Sequence, residues 1–330
     1  MAESAFAALT PAAILTCVEQ ATGRRLLNVC RPHASYINRV YELQDESGEF
    51  IVAKFYRPGR WSRQALEDEQ RFVIDCKTQE LPVISPLMLQ SGHLLETCKA
   101  INFSVYPRCG GRLVDEYNDD QWLELGRLLG RVHGVGALGE APGRNRLHPQ
   151  HTTRQQIDEL VQGELIPNSL RAEFQRLGAE LLELITPLFK NIRMIRLHGD
   201  CHSGNLIYRP GESFYIIDFD DMVVGPPVQD LWMLLPDIIQ ESSYELELLL
   251  EGYETFSPFD RATLKLIEPL RAMRYIHYIS WCAKQYLEDG ATLVNESFGS
   301  FNYWQQEIGD LADQLSAVRK IVAAGSGEQM

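Results

Sequence analysis

The chain contains 330 residues, 45% of them hydrophobic, and it carries a formal net charge of −14 at pH 7. This length and apolar content predict a globular protein with a substantial core, divided into two domains or built as one elaborated catalytic unit. The acidic balance argues against a nucleic-acid partner, because affinity for a phosphate backbone comes largely from basic surfaces that release its counterions.

The first hundred residues mix strand and helix patterns. Runs of β-branched and aromatic residues predict strands at 35–43, 50–56, 93–95 and 101–106. The turn Asp45-Glu-Ser-Gly48 joins the first two of these runs and predicts a hairpin. Apolar residues at helical spacing predict helices near 11–21 and over 61–77. This part of the chain is therefore expected to form a small β-rich lobe.

The pattern changes after Pro107-Arg-Cys-Gly-Gly111, because the remainder of the chain repeats apolar residues mainly at helical intervals. Helices are predicted at 121–134, 153–163, 169–190, 227–240, 243–256, 261–288 and 301–323. We therefore place an N-terminal lobe at 1–106, a hinge at 107–111, a mainly helical C-terminal lobe at 112–325 and a flexible tail at 326–330. This division predicts an α+β fold.

The seven cysteines are scattered along the chain without a Cys-x-x-Cys pair, and their number is odd. Together with a start that lacks a basic, export-type segment, this pattern favours reduced thiols over a disulfide framework. No apolar run approaches the length that crosses a bilayer. We therefore expect a cytoplasmic protein that does not associate with a membrane.

One short β patch interrupts the helical part of the chain. Strand-like runs at 206–208 and 214–217 flank the turn Arg209-Pro-Gly-Glu212, which predicts a hairpin. Counting outward from that turn places Asn205 and Asp218 on neighbouring strands near its open end, where their side-chain oxygens reach one cation. Mg²⁺ prefers oxygen ligands and completes its shell with water and substrate phosphates. This pair is therefore predicted to bind magnesium.

The loop before this hairpin, His198-Gly-Asp-Cys-His-Ser-Gly-Asn205, places Asp200 beside the predicted metal site. A carboxylate there accepts the proton of an attacking hydroxyl group, or orients that hydroxyl in line with the γ-phosphoryl group of a nucleotide. The spacing His-x-Asp-x-x-x-x-Asn, followed by an Asp after a hairpin, is typical of phosphoryl transfer. Asp200 and Asp218 are therefore the predicted catalytic residues, and ATP is the predicted cosubstrate.

Phosphoryl transfer also needs positive charge on the nucleotide phosphates. Lys54 ends a predicted strand among apolar neighbours, where a charged group needs a partner. The following helix offers Glu67 and Glu69, which lie on nearly opposite faces. We choose Glu69 as the counter-ion of Lys54, because it shares a side of the helix with Phe72.

Together, Lys54, His198-x-Asp200, Asn205 and Asp218 resemble the aminoglycoside phosphotransferase branch of the protein-kinase-like superfamily. Over about residues 4–305 the chain is similar to the bacterial stress response kinase A family, in the stretches Ser35-Tyr-Ile-Asn-Arg-Val-Tyr41, Val52-Ala-Lys-Phe-Tyr-Arg-Pro58, Leu197-His-Gly-Asp-Cys-His-Ser-Gly-Asn205, Pro227-Val-Gln-Asp-Leu-Trp-Met-Leu-Leu235 and Ile267-Glu-Pro-Leu-Arg-Ala-Met-Arg274. The resemblance implies a bilobal protein-kinase-like fold and a cytoplasmic serine/threonine protein kinase that uses Mg-ATP. The N-terminal lobe then binds the nucleotide, and the C-terminal lobe carries catalysis and the acceptor.

Carried over position by position, Ser35 resembles the nucleotide contact in the loop between the first strands, and Asp200 resembles the catalytic base. Asn205 and Asp218 resemble the magnesium ligands. Asp230 resembles the buried aspartate that anchors the catalytic loop through backbone hydrogen bonds. The alternative is that Asp230 only places a negative charge at a helix N-terminus, where it interacts with the helix dipole. The expected partners are ATP and a hydroxyl acceptor, on a protein or a small alcohol, and the protein is expected to be a monomer.

The chain departs from typical protein kinases at several positions. It has no Gly-x-Gly-x-x-Gly loop, Asp218-Phe-Asp220 replaces Asp-Phe-Gly, and His202 stands where most serine/threonine kinases carry a lysine. These departures leave a second function open, a kinase of a small alcohol such as an aminoglycoside, choline or homoserine. An acidic acceptor cleft lined from residues 240–300 would favour a cationic acceptor of that kind, and the acidic run at 241–251 is compatible with one. An inactive nucleotide-binding scaffold and a metal-dependent phosphoesterase are the remaining alternatives.

Overall fold

Five antiparallel strands form one sheet in the N-terminal lobe of the computed structural model, which describes residues 5–35, 37–289 and 297–327. In chain order the strands are β1 (Leu26–His33), β2 (Arg39–Asp45), β3 (Phe50–Phe55), β4 (Glu96–Cys98) and β5 (Ile101–Pro107). They lie side by side in the order β1-β2-β3-β5-β4. β2 and β3 form the predicted hairpin. β1 is absent from the prediction, because its burial does not alternate along the strand.

Helices dominate the rest of the described chain. They are α1 (Pro11–Thr22), α2 (Arg63–Thr78), α3 (Asp119–Gly136), α4 (Arg154–Gln162), α5 (Asn168–Ile185), α6 (Val228–Trp232), α7 (Ser243–Glu254), α8 (Ile267–Asp289) and α9 (Phe301–Gly327). α1 and α2 belong to the N-terminal lobe, and the hydroxyl groups of Thr10 and Ser62 cap their first turns. No helix within the described ranges is both long and apolar enough to cross a membrane.

Three main hydrophobic clusters hold these elements together. In the first, α1 packs Ile14 and Val18 against one face of the sheet. The second joins α3 and α7 and includes Phe72 of α2, so it connects the two lobes. The third joins α4, α5, α8 and α9 around the fully buried Trp304. α3 and α7 approach so closely that a Cβ atom on Gly126 would lie 2.0 Å from the carbonyl oxygen of Leu249.

Three helix predictions are wrong in extent. The helix expected at 169–190 ends at Ile185, and a 3₁₀ turn, Thr186–Phe189, follows. The helix expected at 227–240 ends at Trp232, and Pro236 follows, a residue that cannot continue a helix. The helix expected at 261–288 begins as a 3₁₀ turn, Arg261–Leu266, before α8 starts. At the other end of the lobe, α9 continues past the predicted start of the tail at 326, and residues 328–330 lie outside the described residues.

Cys17 of α1 and Cys98 of β4 form a disulfide, with their Cα atoms 5.8 Å apart. The expectation of reduced thiols is therefore wrong for this pair. The two residues lie 81 positions apart in the sequence, so their spacing does not indicate that the fold brings them together. The remaining cysteines are free: Cys30, Cys76, Cys109, Cys201 and Cys282.

Two small antiparallel sheets carry the central loop of the C-terminal lobe. β6 (Ile195–Leu197) pairs with β9 (Val223–Gly225), and β7 (Leu206–Tyr208) pairs with β8 (Phe214–Ile216) to form the predicted hairpin. The loop between β6 and β7 is thus held by a strand at each end. The N-terminal sheet ends at Pro107 and α3 begins at Asp119, while the division of the lobes at 107–111 stays a prediction.

Candidate active site

The open end of the β7–β8 hairpin holds the two predicted metal ligands. Leu206 pairs with Ile216, and the Ile217 N–H donates a hydrogen bond to the Asn205 carbonyl at 3.0 Å. Asn205 and Asp218 therefore lie at the same end of the two paired strands. Asp218 has a φ of 59°, in the left-handed region that residues other than glycine rarely adopt. Backbone strain of this kind concentrates at functional sites, where it fixes a side-chain direction.

Asp230 anchors the loop that precedes this hairpin. Its Oδ2 accepts a hydrogen bond from the His198 N–H at 2.9 Å, and its Oδ1 accepts one from the Gly199 N–H at 2.8 Å. Asp230 is completely buried and also contacts His133 Nε2 at 3.1 Å. These contacts favour the anchoring role over the helix-dipole alternative. Gly199 itself has a φ of 85°, and a Cβ atom there would lie 2.3 Å from the Asp221 carbonyl oxygen.

His198 joins the same loop to the strand that leads to Asp218. Its Nε2 contacts the Ile217 carbonyl at 2.8 Å and therefore carries the proton, while its Nδ1 faces the Asp200 N–H at 3.3 Å. The residue is fully buried. His198 therefore shapes the loop and holds Asp200 in position.

Asp200 lines a cleft of about 500 Å³ between the lobes, together with Ser35 and Asp218. Its Oδ1 lies 2.7 Å from Arg274 Nη2, and its Oδ2 lies 3.4 Å from His202 Nε2. Burial alone would raise the pKa of Asp200, but the hydrogen bond from His202 and the charge of Arg274 outweigh burial and hold the pKa well below its usual range. Asp200 is therefore ionised throughout the physiological range.

Lys54 reaches the same region from β3. Its Nζ donates to Asp218 Oδ1 at 2.7 Å and lies 3.5 Å from Asp220 Oδ1. Burial opposes the charge of Lys54, but the carboxylates of Asp218 and Asp220 more than offset this and raise the pKa of Lys54 well above its usual value. The lysine is thus a permanent cation at the junction of the lobes.

Glu69, the predicted counter-ion of Lys54, has a closer partner in the structure. The buried Glu69 instead pairs with Arg144 Nη2 at 2.6 Å and accepts a hydrogen bond from the Tyr56 hydroxyl at 3.2 Å. It lies near enough for its charge to act on Lys54, whose direct carboxylate contacts are Asp218 and Asp220. The helix face was predicted correctly, because Glu69 does point inward.

Arg144 and Arg60 belong to the site but were not predicted. Arg144 is completely buried and, besides Glu69, donates to the carbonyls of Ala65 at 2.7 Å and Asp220 at 2.6 Å. Arg60 bridges Asp220 and Asp221 at 2.6 and 2.5 Å. The available signal was Asp220 itself, since a carboxylate in place of glycine in Asp-Phe-Gly calls for nearby cations.

Similarity to known proteins extends over most of the chain. The profile of the phosphotransferase enzyme family matches residues 29–267. The chain is 35% identical over 306 residues to stress response kinase A of Escherichia coli strain K12, with 90% of each chain covered. It is 35% identical over 290 residues to the serine/threonine protein kinase RdoA of Salmonella typhimurium strain LT2, with 88% of each covered. The chain belongs to the stress response kinase A family of phosphotransferases.

Solved structures share the fold of this stress response kinase A family member. The amicoumacin kinase hAmiN, in complex with AMP-PNP, Ca²⁺ and Ami, superposes with a TM-score of 0.74 at 19% identity, covering 93% of this chain and 95% of that one. The microcompartment-associated aminopropanol kinase gives 0.69 at 16% identity, covering 96% and 98%. The predicted bilobal fold is confirmed by these structures. The predicted enzyme class, an ATP-dependent kinase, is confirmed by the family.

Asn205 and Asp218 of the kinase offer the donor set that a divalent cation prefers. The Asn205 Nδ2 donates to the Asp200 carbonyl at 2.9 Å, which directs the amide nitrogen into the loop and leaves the amide oxygen as the outward acceptor. The Asp218 side chain is 52% exposed, so its carboxylate is accessible from the cleft. An amide oxygen and a carboxylate match the hard oxygen ligands of Mg²⁺ or Ca²⁺. These two residues therefore fit a divalent cation.

The far wall of the cleft comes from α8. Residues of α8 that line it include Met273, Arg274, His277, Tyr278 and Trp281. None of the described lining residues comes from the acidic run at 241–251, because α7 packs against α3 in another part of the lobe. The cleft is thus lined from within the expected range 240–300, by α8 and not by the acidic run at 241–251.

Proposed function

We propose that this stress response kinase A family member transfers the γ-phosphoryl group of Mg-ATP to a serine or threonine hydroxyl group of a protein. The observation that carries the proposal is the meeting of Asp200 and Asp218 in one cleft, with Lys54 Nζ 2.7 Å from Asp218 Oδ1. The 35% identity to a protein named as a serine/threonine protein kinase supports the acceptor class. The nucleotide contact assigned to Ser35 fits its place in the lining of the same cleft as Asp200.

Asp200 acts on the acceptor hydroxyl group. Its carboxylate orients the oxygen towards the γ-phosphoryl group and takes the hydroxyl proton as the new O–P bond forms and the bond to ADP breaks. Because the pKa of Asp200 lies well below its usual range, the group is a weak base while Arg274 and His202 face it. Orientation of the hydroxyl, with proton transfer late in the reaction, is the role that these electrostatics support.

Lys54, Asn205 and Asp218 act on the nucleotide side. Mg²⁺ is the cation that we propose for Asn205 and Asp218, and when bound it supplies positive charge to the phosphate oxygens. Lys54 adds a fixed positive charge next to Asp218. A monomer in the cytoplasm completes the proposal, although the Cys17–Cys98 disulfide is unusual for a reducing compartment.

Incubation with γ-³²P-labelled ATP, Mg²⁺ and casein tests the acceptor class. We expect label on serine or threonine residues of casein or of the kinase itself, and we expect none with Asp200→Asn. Label on no protein, in a preparation that consumes ATP when small alcohols are added, would contradict a protein acceptor.

A small alcohol is the second candidate acceptor, and one structural observation favours it. The stretch from Asp218 to α6 consists of a short 3₁₀ turn and β9, which pairs with β6, so it folds back into the lobe. It thus offers little extended surface to a peptide. ADP formation with choline, homoserine, aminopropanol and an aminoglycoside, each added separately, distinguishes this candidate from a protein kinase.

A further inference from the structure

Arg274 of α8 reaches the residue that we propose as the catalytic base. Its Nη2 lies 2.7 Å from Asp200 Oδ1, its side chain is 39% exposed, and it lines the same cleft as Ser35 and Asp218. Because the Arg274 side chain is partly exposed and its guanidinium group carries five N–H donors, the donors that do not face Asp200 are open to another partner. Arg274 is therefore available to a ligand that enters the cleft.

Other basic groups in the described cleft lining are occupied or neutral. Arg60 bridges the carboxylates of Asp220 and Asp221 at 2.6 and 2.5 Å. His277 follows Arg274 by about one turn of α8, and burial in the cleft lowers its pKa. On the α8 wall, Arg274 thus supplies the permanent positive charge.

The catalytic loop provides no such charge of its own. Residues 198–208 contain neither lysine nor arginine, and His202 stands where many serine/threonine kinases carry a lysine. Lys54 approaches from β3 in the other lobe and contacts Asp218. Phosphoryl transfer spreads negative charge over three equatorial oxygens, which enzymes stabilise with fixed cations. A cation on the acceptor side must therefore come from another element of the fold.

We propose that Arg274 is a further catalytic residue, which binds an oxygen of the γ-phosphoryl group during its transfer. This inference rests on the proposed function. The guanidinium group has five N–H donors in a planar fork, so one can stay near Asp200 while others reach the phosphoryl group. A hydroxyl held by Asp200 for attack lies roughly 3 Å from the phosphorus atom, which brings the phosphoryl oxygens within reach of a group that touches Asp200.

Binding of ADP, Mg²⁺ and fluoroaluminate tests this role without an acceptor, because the fluoroaluminate complex imitates the transferring phosphoryl group. Calorimetry measures the affinity for Mg-ADP with and without fluoroaluminate, in the wild-type chain and in Arg274→Gln and Arg274→Lys. Lys284→Gln is the control, since Lys284 is an exposed residue of the same helix, paired with Glu159 outside the cleft lining. Thermal melting verifies that each variant is folded.

We expect the affinity of Arg274→Gln for Mg-ADP to lie within about twofold of the wild-type affinity. The increase in this affinity that fluoroaluminate causes should be at least about tenfold smaller in the variant than in the wild-type chain. In Arg274→Lys the increase caused by fluoroaluminate should lie between those of Arg274→Gln and the wild-type chain, and in Lys284→Gln it should equal that of the wild-type chain. The rate of phosphoryl transfer should fall by about 10²- to 10³-fold in Arg274→Gln.

Two other results are decisive. If Arg274→Gln keeps the full fluoroaluminate gain, the inference is wrong and Arg274 only positions Asp200. If the wild-type chain shows neither a fluoroaluminate gain nor phosphoryl transfer, the proposed function itself fails. If Arg274→Gln does not fold, Arg274→Lys tests the inference instead. A fluoroaluminate-induced increase in Mg-ADP affinity and a rate of phosphoryl transfer that both equal those of the wild-type chain would overturn the inference.

Discussion

Lys54 donates a hydrogen bond to Asp218 at 2.7 Å, joining residues that lie 164 positions apart and in different lobes. Replacing Lys54 by Met leaves the carboxylates of Asp218 and Asp220 without this cation. We expect kcat/KM for phosphoryl transfer to fall by about 10²- to 10³-fold, with partial recovery in Lys54→Arg. Steady-state transfer assays measure the change, and Lys77→Met, at an exposed site on α2, is the control. Near wild-type transfer in Lys54→Met would contradict this role.

Asp230 holds the catalytic loop through the N–H groups of His198 and Gly199. Asp230→Ala leaves both donors buried without an acceptor and removes the partner of His133. We expect the free energy of unfolding to fall by about 3–5 kcal/mol, with loss of transfer activity. Urea denaturation measures the effect, and Asp158→Asn, at an exposed position of α4, is the control. A loss no larger than that of the control would show that the loop does not depend on Asp230.

Residues with a chemical role in the site are easier to predict from the sequence than the residue pairs that hold the site together. The reason is that the supporting pairs join residues far apart in the sequence. Asn205 and Asp218 are brought together by a local hairpin, so turn residues and strand lengths determine their proximity. Glu69 finds its partner Arg144 75 positions away, where no periodicity or spacing indicates a contact. The sequence did not indicate the Cys17–Cys98 disulfide for the same reason, because the two cysteines lie 81 positions apart. Side-chain pairs that join distant elements depend on packing, and packing is not visible in one sequence.

Arg144 ties α2 to the segment after Asp218. It pairs with Glu69 and donates to the carbonyls of Ala65 and Asp220, all at full burial. Arg144→Met leaves the Glu69 carboxylate buried without its closest cation, and we expect about 3–5 kcal/mol lower stability. Adding Glu69→Gln should restore about 1–3 kcal/mol of this, because the unpaired charge is then removed. Chemical denaturation of both single variants and the double variant tests the coupling, and strictly additive effects would refute it.

The Cys17–Cys98 disulfide restricts the unfolded chain over a long loop. We expect Cys17→Ser with Cys98→Ser to lower the free energy of unfolding by about 2–4 kcal/mol. Transfer activity at 25 °C should be unchanged, because neither cysteine lines the cleft. Thermal melting with and without a reductant measures the effect, and the double variant should not respond to the reductant. A wild-type melting temperature that is the same in both conditions would mean that the bond does not form or does not stabilise the fold.

Asp200 carries the central claim, and its replacement by Ala in a labelling assay tests that claim most directly. The measurement pairs transfer of the ³²P label with calorimetric binding of Mg-ADP to the same preparation. We expect Asp200→Ala to lose transfer by at least about 10²-fold, since the acceptor hydroxyl is no longer oriented or deprotonated. Nucleotide affinity should stay within about threefold of wild type, because Lys54, Asn205 and Asp218 remain in place. An Asp200→Ala variant that transfers phosphate at the wild-type rate would contradict the role of Asp200 and the mechanism built on it.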